Sequence, residues 1–195
     1  LGYRIKLLGI TKRTPEGVEL RVHPTLIPTK RLIANVEGAM NAVLVKADAV
    51  GATMYYGKGA GAEPTASAVI ADLVDVTRMH TADPEHRVPH LAFQPEAMVD
   101  LPILPLAEVV SSYYLRLRVE DKPGVLADIT RILADQQISI DAMIQREPEE
   151  GEEQADIIFL THETRERNVA AAIEKIESHP AVKGKLTRLR LEGLL

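Results

Sequence analysis

Apolar and polar positions alternate from the start of the chain. Ile5 and Leu7 stand against Arg4 and Lys6, which predicts a strand over residues 3–10. Val18, Leu20 and Val22 repeat the same period after the turn residues Thr14-Pro15-Glu16-Gly17, so a hairpin is expected. His23 to Pro28 reads as extended, because a residue before proline is pushed toward β geometry. Leu32 to Val36 is expected as a short helix, and Asn41–Lys46 and Ala52–Tyr56 as two further strands about the turn Asp48–Gly51. Past Pro64 the period changes. Ala66, Val69, Ile70 and Leu73 fall on one face of a helix that runs to Arg78 and is expected to anchor the preceding loop to the core. Proline suits the first turn of that helix, where its missing N–H removes no bond.

A second periodic region begins at residue 112. Tyr113, Leu115, Leu117 and Val119 share one face of a strand, Asp121-Lys122-Pro123-Gly124 is a turn, and Val125, Leu126, Ile129, Ile132 and Leu133 form a helical stripe. Strands follow at Ile138–Ile144 and Ala155–Leu160, a helix at Val169–Ile176 and a last strand at Val182–Leu191. The acidic run Glu147–Glu153 between them favours solvent. The order is β-α-β-β-α-β, the ferredoxin-like arrangement. Right-handed crossovers place both helices on one sheet face. The other face and an edge strand are left bare, so pairing with a second copy is expected. Residues 80–111, with Pro84, Pro89, Pro95, Pro102 and Pro105, read as an ordered connector, because Leu101, Ile103, Leu104 and Leu106 are too apolar for a solvated linker. The expected architecture is α+β: a mixed-sheet segment over 1–79, the connector over 80–111 and a βαββαβ domain over 112–195.

Composition narrows the function classes. The 195 residues are 46% hydrophobic and 26% charged, ordinary for a globular protein. A net charge of -5 argues against a nucleic-acid partner. With no cysteine, thiolate chemistry, disulfides and Cys-ligated zinc are excluded, which fits a cytoplasmic location. No apolar run reaches membrane-spanning length and no signal peptide is visible. The chain opens Leu1-Gly2-Tyr3 rather than with methionine, and is expected to be part of something longer.

Candidate chemistry concentrates in two places. Gly57, Gly59 and Gly61 alternate just ahead of the helix at Pro64, with Lys58 among them. Such a loop offers open backbone N–H groups and a positive dipole end to an anion. It serves equally as a close-packed turn in which glycine supplies only positive φ. Its spacing matches neither the Walker loop nor Gly-x-Gly-x-x-Gly, so any nucleotide it touches is held mainly by another domain. The second place is the turn Asp121–Gly124, where Gly124 allows the turn and Asp121 can cap the helix that follows. Asp72 and Asp75 read as a solvated helix face. His80, His86 and His90 match no compact ligand spacing, so no metal site is expected. No catalytic constellation is found.

Three stretches resemble the C-terminal half of bacterial homoserine dehydrogenase: Arg21-Val22-His23-Pro24-Thr25-Leu26-Ile27-Pro28, Asn35-Val36-Glu37-Gly38-Ala39-Met40-Asn41-Ala42-Val43, and Gly57-Lys58-Gly59-Ala60-Gly61 with Pro64-Thr65-Ala66-Ser67-Ala68-Val69. Tyr113-Tyr114-Leu115-Arg116-Leu117 with Asp121-Lys122-Pro123-Gly124-Val125-Leu126 resembles an ACT domain. The resemblance implies a dehydrogenase that interconverts L-homoserine and L-aspartate 4-semialdehyde with NADP or NAD, on the route to threonine and methionine. It implies that the cofactor domain and the catalytic residues lie upstream of Leu1, and that this piece alone is inactive. Gly57, Gly59, Ala60 and Gly61 are then the expected cofactor contacts, with Lys58 secondary. The ACT resemblance further implies a small amino acid at the first turn. Gly124 would permit close backbone approach, the N–H groups at Val125 and Leu126 would take its carboxylate and Asp121 its amino group. Asp121, Gly124, Val125 and Leu126 are then the expected effector contacts, for threonine as a feedback ligand. The rival reading is a purely regulatory amino-acid-binding module.

Overall fold

The computed structural model describes residues 1–82, 93–146 and 154–194. The chain divides into two compact units, one of Leu1–Lys30 with Pro102–Leu194 and one built on Arg31–Leu101. This differs from the expected boundaries at 79 and 111, and the reason lies in how one strand is paired.

In the first unit, β1 (Tyr3–Thr14) and β2 (Gly17–Pro28) form the expected antiparallel hairpin. The segment His23–Pro28 is not a separate extended piece but the second half of β2. The remaining elements are β5 (Val110–Glu120), α2 (Val125–Asp135), β6 (Ile140–Arg146), β7 (Gln154–Thr161), the short β8 (Thr164–Arg165), α3 (Glu166–Glu177) and β9 (Val182–Leu191). The order β9-β5-β7-β6 is antiparallel throughout, as expected of a ferredoxin-like domain. The expectation of a bare edge is corrected at β9. There β2 pairs in parallel, Thr25 opposite Arg190 and Leu26 opposite Leu191, so the hairpin and the βαββαβ elements make one sheet. The Glu192 N–H extends this ladder to the Leu26 carbonyl at 3.0 Å. Pro24 and Pro28 flank the junction and have no N–H to donate, which keeps it short.

Both helices pack on one face. Tyr113, Leu115, Leu117 and Val119 of β5, with Ile157 and Phe159 of β7, meet Val125, Ile129 and Leu133 of α2 and Val169, Ala172 and Ile176 of α3. Each such side chain contributes about 2 kcal/mol on leaving water, so this unit carries a closed core of its own. The opposite face is not simply bare. Leu26, Leu160 and Leu191 are buried there under Tyr3, Tyr114, Ala142 and Leu189. Along the β1–β2 hairpin apolar surface opens, where Ile5 is 59%, Leu7 72% and Val22 74% exposed.

A charged cluster ties α3 to the sheet. Glu166, in the first turn of α3, accepts hydrogen bonds from the Tyr113 hydroxyl at 2.7 Å, from Arg190 Nε and Nη2 at 2.9 and 2.6 Å, and from Arg188. Burial pushes its carboxyl upward. The Tyr113 hydroxyl and the two arginines outweigh that and hold it below the usual carboxylate range. Burial beside Glu166 in turn pushes the Tyr113 phenol up.

The second unit contains a 3-10 turn (Leu32–Asn35), the hairpin β3 (Met40–Lys46) and β4 (Ala52–Lys58), and α1 (Ala62–Thr81). Gly51 closes the hairpin turn at φ +76, with the Ala47 N–H on its carbonyl. The expectation that α1 anchors its loop to a core is overturned, since no described residue of α1 is buried and Leu73 is 57% exposed. A two-stranded hairpin offers too little apolar surface to cover a helix. Val43, Val45, Tyr55 and Tyr56 of the hairpin are exposed as well. The acidic run 147–153 lies outside the described residues.

The Glu166 cluster has a pH signature. A carboxyl held below its ordinary 4.5 in the folded state stays charged while the unfolded chain takes up protons, so its contribution is present above 4.5 and is lost as pH falls below it. Glu166→Gln is expected to lower stability at neutral pH by on the order of 2 kcal/mol, because Arg190 is left buried against a neutral group. It should also flatten the decline in denaturant midpoint between pH 5 and pH 3, as read by urea titration (pH window from about one unit either side of the carboxyl range).

Candidate functional site

The two groups of sequence-predicted residues fall in different units. In the first, Asp121, Gly124, Val125 and Leu126 come together. They line a cavity of about 280 Å³ with Val119, Glu120, Lys122, Pro123, Gln145 and Ile157. Gly124 is the N-cap position of α2 and sits in the left-handed region at φ +95, where an L side chain is strained. No side chain caps α2. Asp121 instead accepts from Gln145 Nε2 at 3.3 Å, which sets the capping alternative aside and points its carboxylate across to β6.

The backbone at this helix start is partly committed. The Val125 N–H bonds the Lys122 carbonyl at 3.3 Å, and the first helical bond runs from the Asp128 N–H to the Gly124 carbonyl. The N–H groups of Leu126 and Ala127 therefore precede the helical ladder and have no acceptor within it. Val125 contributes its buried side chain to the cavity rather than a free donor, a change from the sequence expectation. Glu120 carries the wall's charge. Its hydrogen bond with Lys122, and then that with Lys183, hold its carboxyl down at about 2, so it is ionised at any working pH. A pocket with an aspartate, a helix start and apolar sides formed by Val119 and Ile157 fits a small zwitterion better than an extended chain. Gln145 and Ile157 were not singled out from the sequence. Both arrive from β6 and β7, far along the chain, and no local pattern marks them.

In the second unit, Gly57 and Lys58 end β4, and Gly59, Ala60 and Gly61 lead into α1. All but Gly57 are exposed. Gly61 is the N-cap position at φ +134, and its carbonyl takes the first helical N–H, that of Thr65, at 3.0 Å. Pro64 has no N–H, and those of Ala62 and Glu63 have no acceptor within the helix. A Cβ at Gly59 would come within 2.6 Å of the Asn41 side-chain nitrogen, whereas one at Gly57 would meet open space. Glycine at 59 thus makes room for the Asn41 side chain, while the backbone at Gly57 borders open space, with the Lys58 cation beside it. Glu63 in the first turn already complements the helix dipole. This favours contact with a ligand's neutral polar atoms over capture of a free phosphate.

His86 and His90 lie outside the described residues. Among the described residues no cluster of histidine and carboxylate side chains could hold a metal ion, and no helix is long and apolar enough to cross a membrane.

Residues 1–74 match the homoserine dehydrogenase family model, and residues 113–181 match the ACT domain model. The chain belongs to the homoserine dehydrogenase family. It is 56% identical to a homoserine dehydrogenase of Pseudomonas aeruginosa over 100% of this chain, and 62% identical to one of Methylobacillus glycogenes over 98%. It spans 45% of the length of each of these relatives. A crystal structure of a homoserine dehydrogenase from Thiobacillus denitrificans is 70% identical, with a TM-score of 0.90 over 99% of this chain and 43% of that one. The homoserine dehydrogenase of S. aureus at pH 6.0 is similar at 27% identity, with a TM-score of 0.58 over 100% of this chain and 43% of that one. The family match runs into β1 and β2, which the fold places in the same unit as the ACT elements.

Strain at Gly124 gives a direct test of the turn. Nothing lies within 4 Å of a Cβ built there, so Gly124→Ala is opposed by backbone strain alone. It is expected to cost about 1–2 kcal/mol, seen as a lower thermal midpoint.

Proposed function

We propose that this chain is part of an enzyme that interconverts L-homoserine and L-aspartate 4-semialdehyde with NADP or NAD, and that its ACT domain binds a small amino acid, threonine, as a feedback effector. The observation that carries the reading is the likeness to homoserine dehydrogenases along the whole chain, with a family model at each end. Hydride transfer would be the cofactor's chemistry. The backbone at Gly57, Gly59, Ala60 and Gly61 would contact that cofactor, and Lys58 would lie beside it as a mobile cation. The catalytic proton donor and the groups that hold the substrate amine would be supplied by the rest of the longer protein, so the piece alone would be inactive.

In the ACT domain, Asp121 would receive the effector's ammonium and the N–H groups at the α2 start its carboxylate. Val119, Val125, Leu126 and Ile157 would form the apolar wall that limits side-chain size. The exposed apolar surface of α1 and the β3–β4 hairpin supports assembly into an oligomer, because a soluble chain rarely leaves so much uncovered. A cytoplasmic location is in keeping with this role.

The rival, a regulatory module with no cofactor contact, is separated by one substitution. In the complete enzyme Gly59→Val is expected to raise the KM for the nicotinamide cofactor at least about tenfold, roughly 1.4 kcal/mol of lost contact. Calorimetric affinity for L-threonine should stay unchanged. An unaltered cofactor KM would remove the loop from the cofactor site and favour the rival.

A further inference from the structure

β9 carries several of the first unit's charged contacts. At its start, Lys183 bonds Glu120 on the wall of the Asp121–Gly124 cavity at 2.7 Å, and the Glu120 N–H bonds the Ala181 carbonyl at 2.8 Å. Along its length, both ends of α3 grip it. Glu177 takes the Lys185 ammonium at 2.7 Å and the Leu186 N–H at 2.9 Å, and Glu166 takes Arg188 and Arg190. At its far end it pairs with β2. Just beyond, Glu192 bonds the buried Arg21 at 2.7 Å and Lys12 at 3.0 Å, reaching both strands of the hairpin. The strand is not uniform between these ends. Arg116 lies opposite Thr187 but Arg118 opposite Lys183, so β9 bulges, with Gly184 at φ +75 inside the bulge. A bulge of this kind bends the strand and raises its local twist between the two ends.

We infer that β9 and α3 form the mechanical link between the effector cavity and the dehydrogenase, and that Glu192, through Arg21 and Lys12, is the latch by which a shift of β9 moves the β1–β2 hairpin. The inference rests on the reading that the cavity takes an amino-acid effector. It goes beyond that reading in naming the path, which is strand addition rather than a flexible tether. The hairpin belongs to the segment matched by the homoserine dehydrogenase model, yet it is a structural part of the ACT sheet. Displacement of β9 therefore reaches the dehydrogenase segment through backbone pairing and two ion pairs. Coupling of this sort needs two sites and an element that contacts both, and β9 runs from the cavity wall to the hairpin.

The test uses the complete enzyme with L-threonine as probe. Glu192→Gln removes the latch charge and keeps the side chain's shape. It is expected to leave the uninhibited rate within about twofold and calorimetric L-threonine affinity within about threefold of wild type, while the maximal inhibition at saturating L-threonine falls by at least about half, the range of a coupling change near 1 kcal/mol. Lys12→Met, at a half-exposed residue on the outer strand, should act in the same direction more weakly, and decides the matter if Glu192→Gln fails to fold. Variants that bind and respond as wild type overturn the latch alone. L-threonine that binds the wild type without inhibiting it overturns the coupling. Absence of any L-threonine binding to the wild type overturns the effector reading and the coupling with it.

Discussion

A four-stranded ferredoxin-like sheet has two edges, and each presents a row of backbone donors and acceptors that must be paired, covered or left to water. Here the β9 edge is met by β2 of the same chain. Much of the first unit's organisation depends on that pairing. It brings Thr25 and Ile27 into full burial, gathers Leu26 and Leu191 into a second small core behind the sheet, and places Arg21 where its charge must be answered by Glu19 and Glu192. Segments separated by most of the chain become neighbours in one sheet, so the family segment and the ACT domain are not beads on a string.

The charges follow from this arrangement. A buried carboxylate is tolerated where it accepts several bonds at once, and Glu166 does so from a tyrosine and two arginines. Such clusters add modestly to net stability, because the cost of desolvation offsets much of the attraction. Their larger effect is on geometry: Glu166 and Glu177 tie both ends of α3 to β9. A pair tied in this way, with the cavity at one end and another segment's hairpin at the other, is suited to carry a displacement.

The second unit makes the opposite use of its residues. Its helix and hairpin keep apolar side chains at the surface, and its glycine loop offers backbone rather than side chains. Both features suit a surface that is completed by contact with something else. Recognition by backbone leaves little chemical trace in a sequence, and for that reason the loop reads equally as a geometric turn.

Periodicity determined the elements themselves. The period of two in Tyr113–Val119 and the helical stripe Val125–Leu133 gave the βαββαβ order, since side-chain direction in a strand or helix is set by local geometry. Gly124 was legible as a turn residue, and the structure adds that its backbone is left-handed, at φ +95. Sequence could not decide which strand would cover the β9 edge, because backbone pairing carries no side-chain signature and Thr25 and Arg190 lie far apart in the chain. Nor could it bring Gln145 and Ile157 to Asp121, or reveal that the apolar stripe of α1 stays open. Hydrophobic spacing states that a face is apolar. Only the tertiary structure decides what, if anything, covers it.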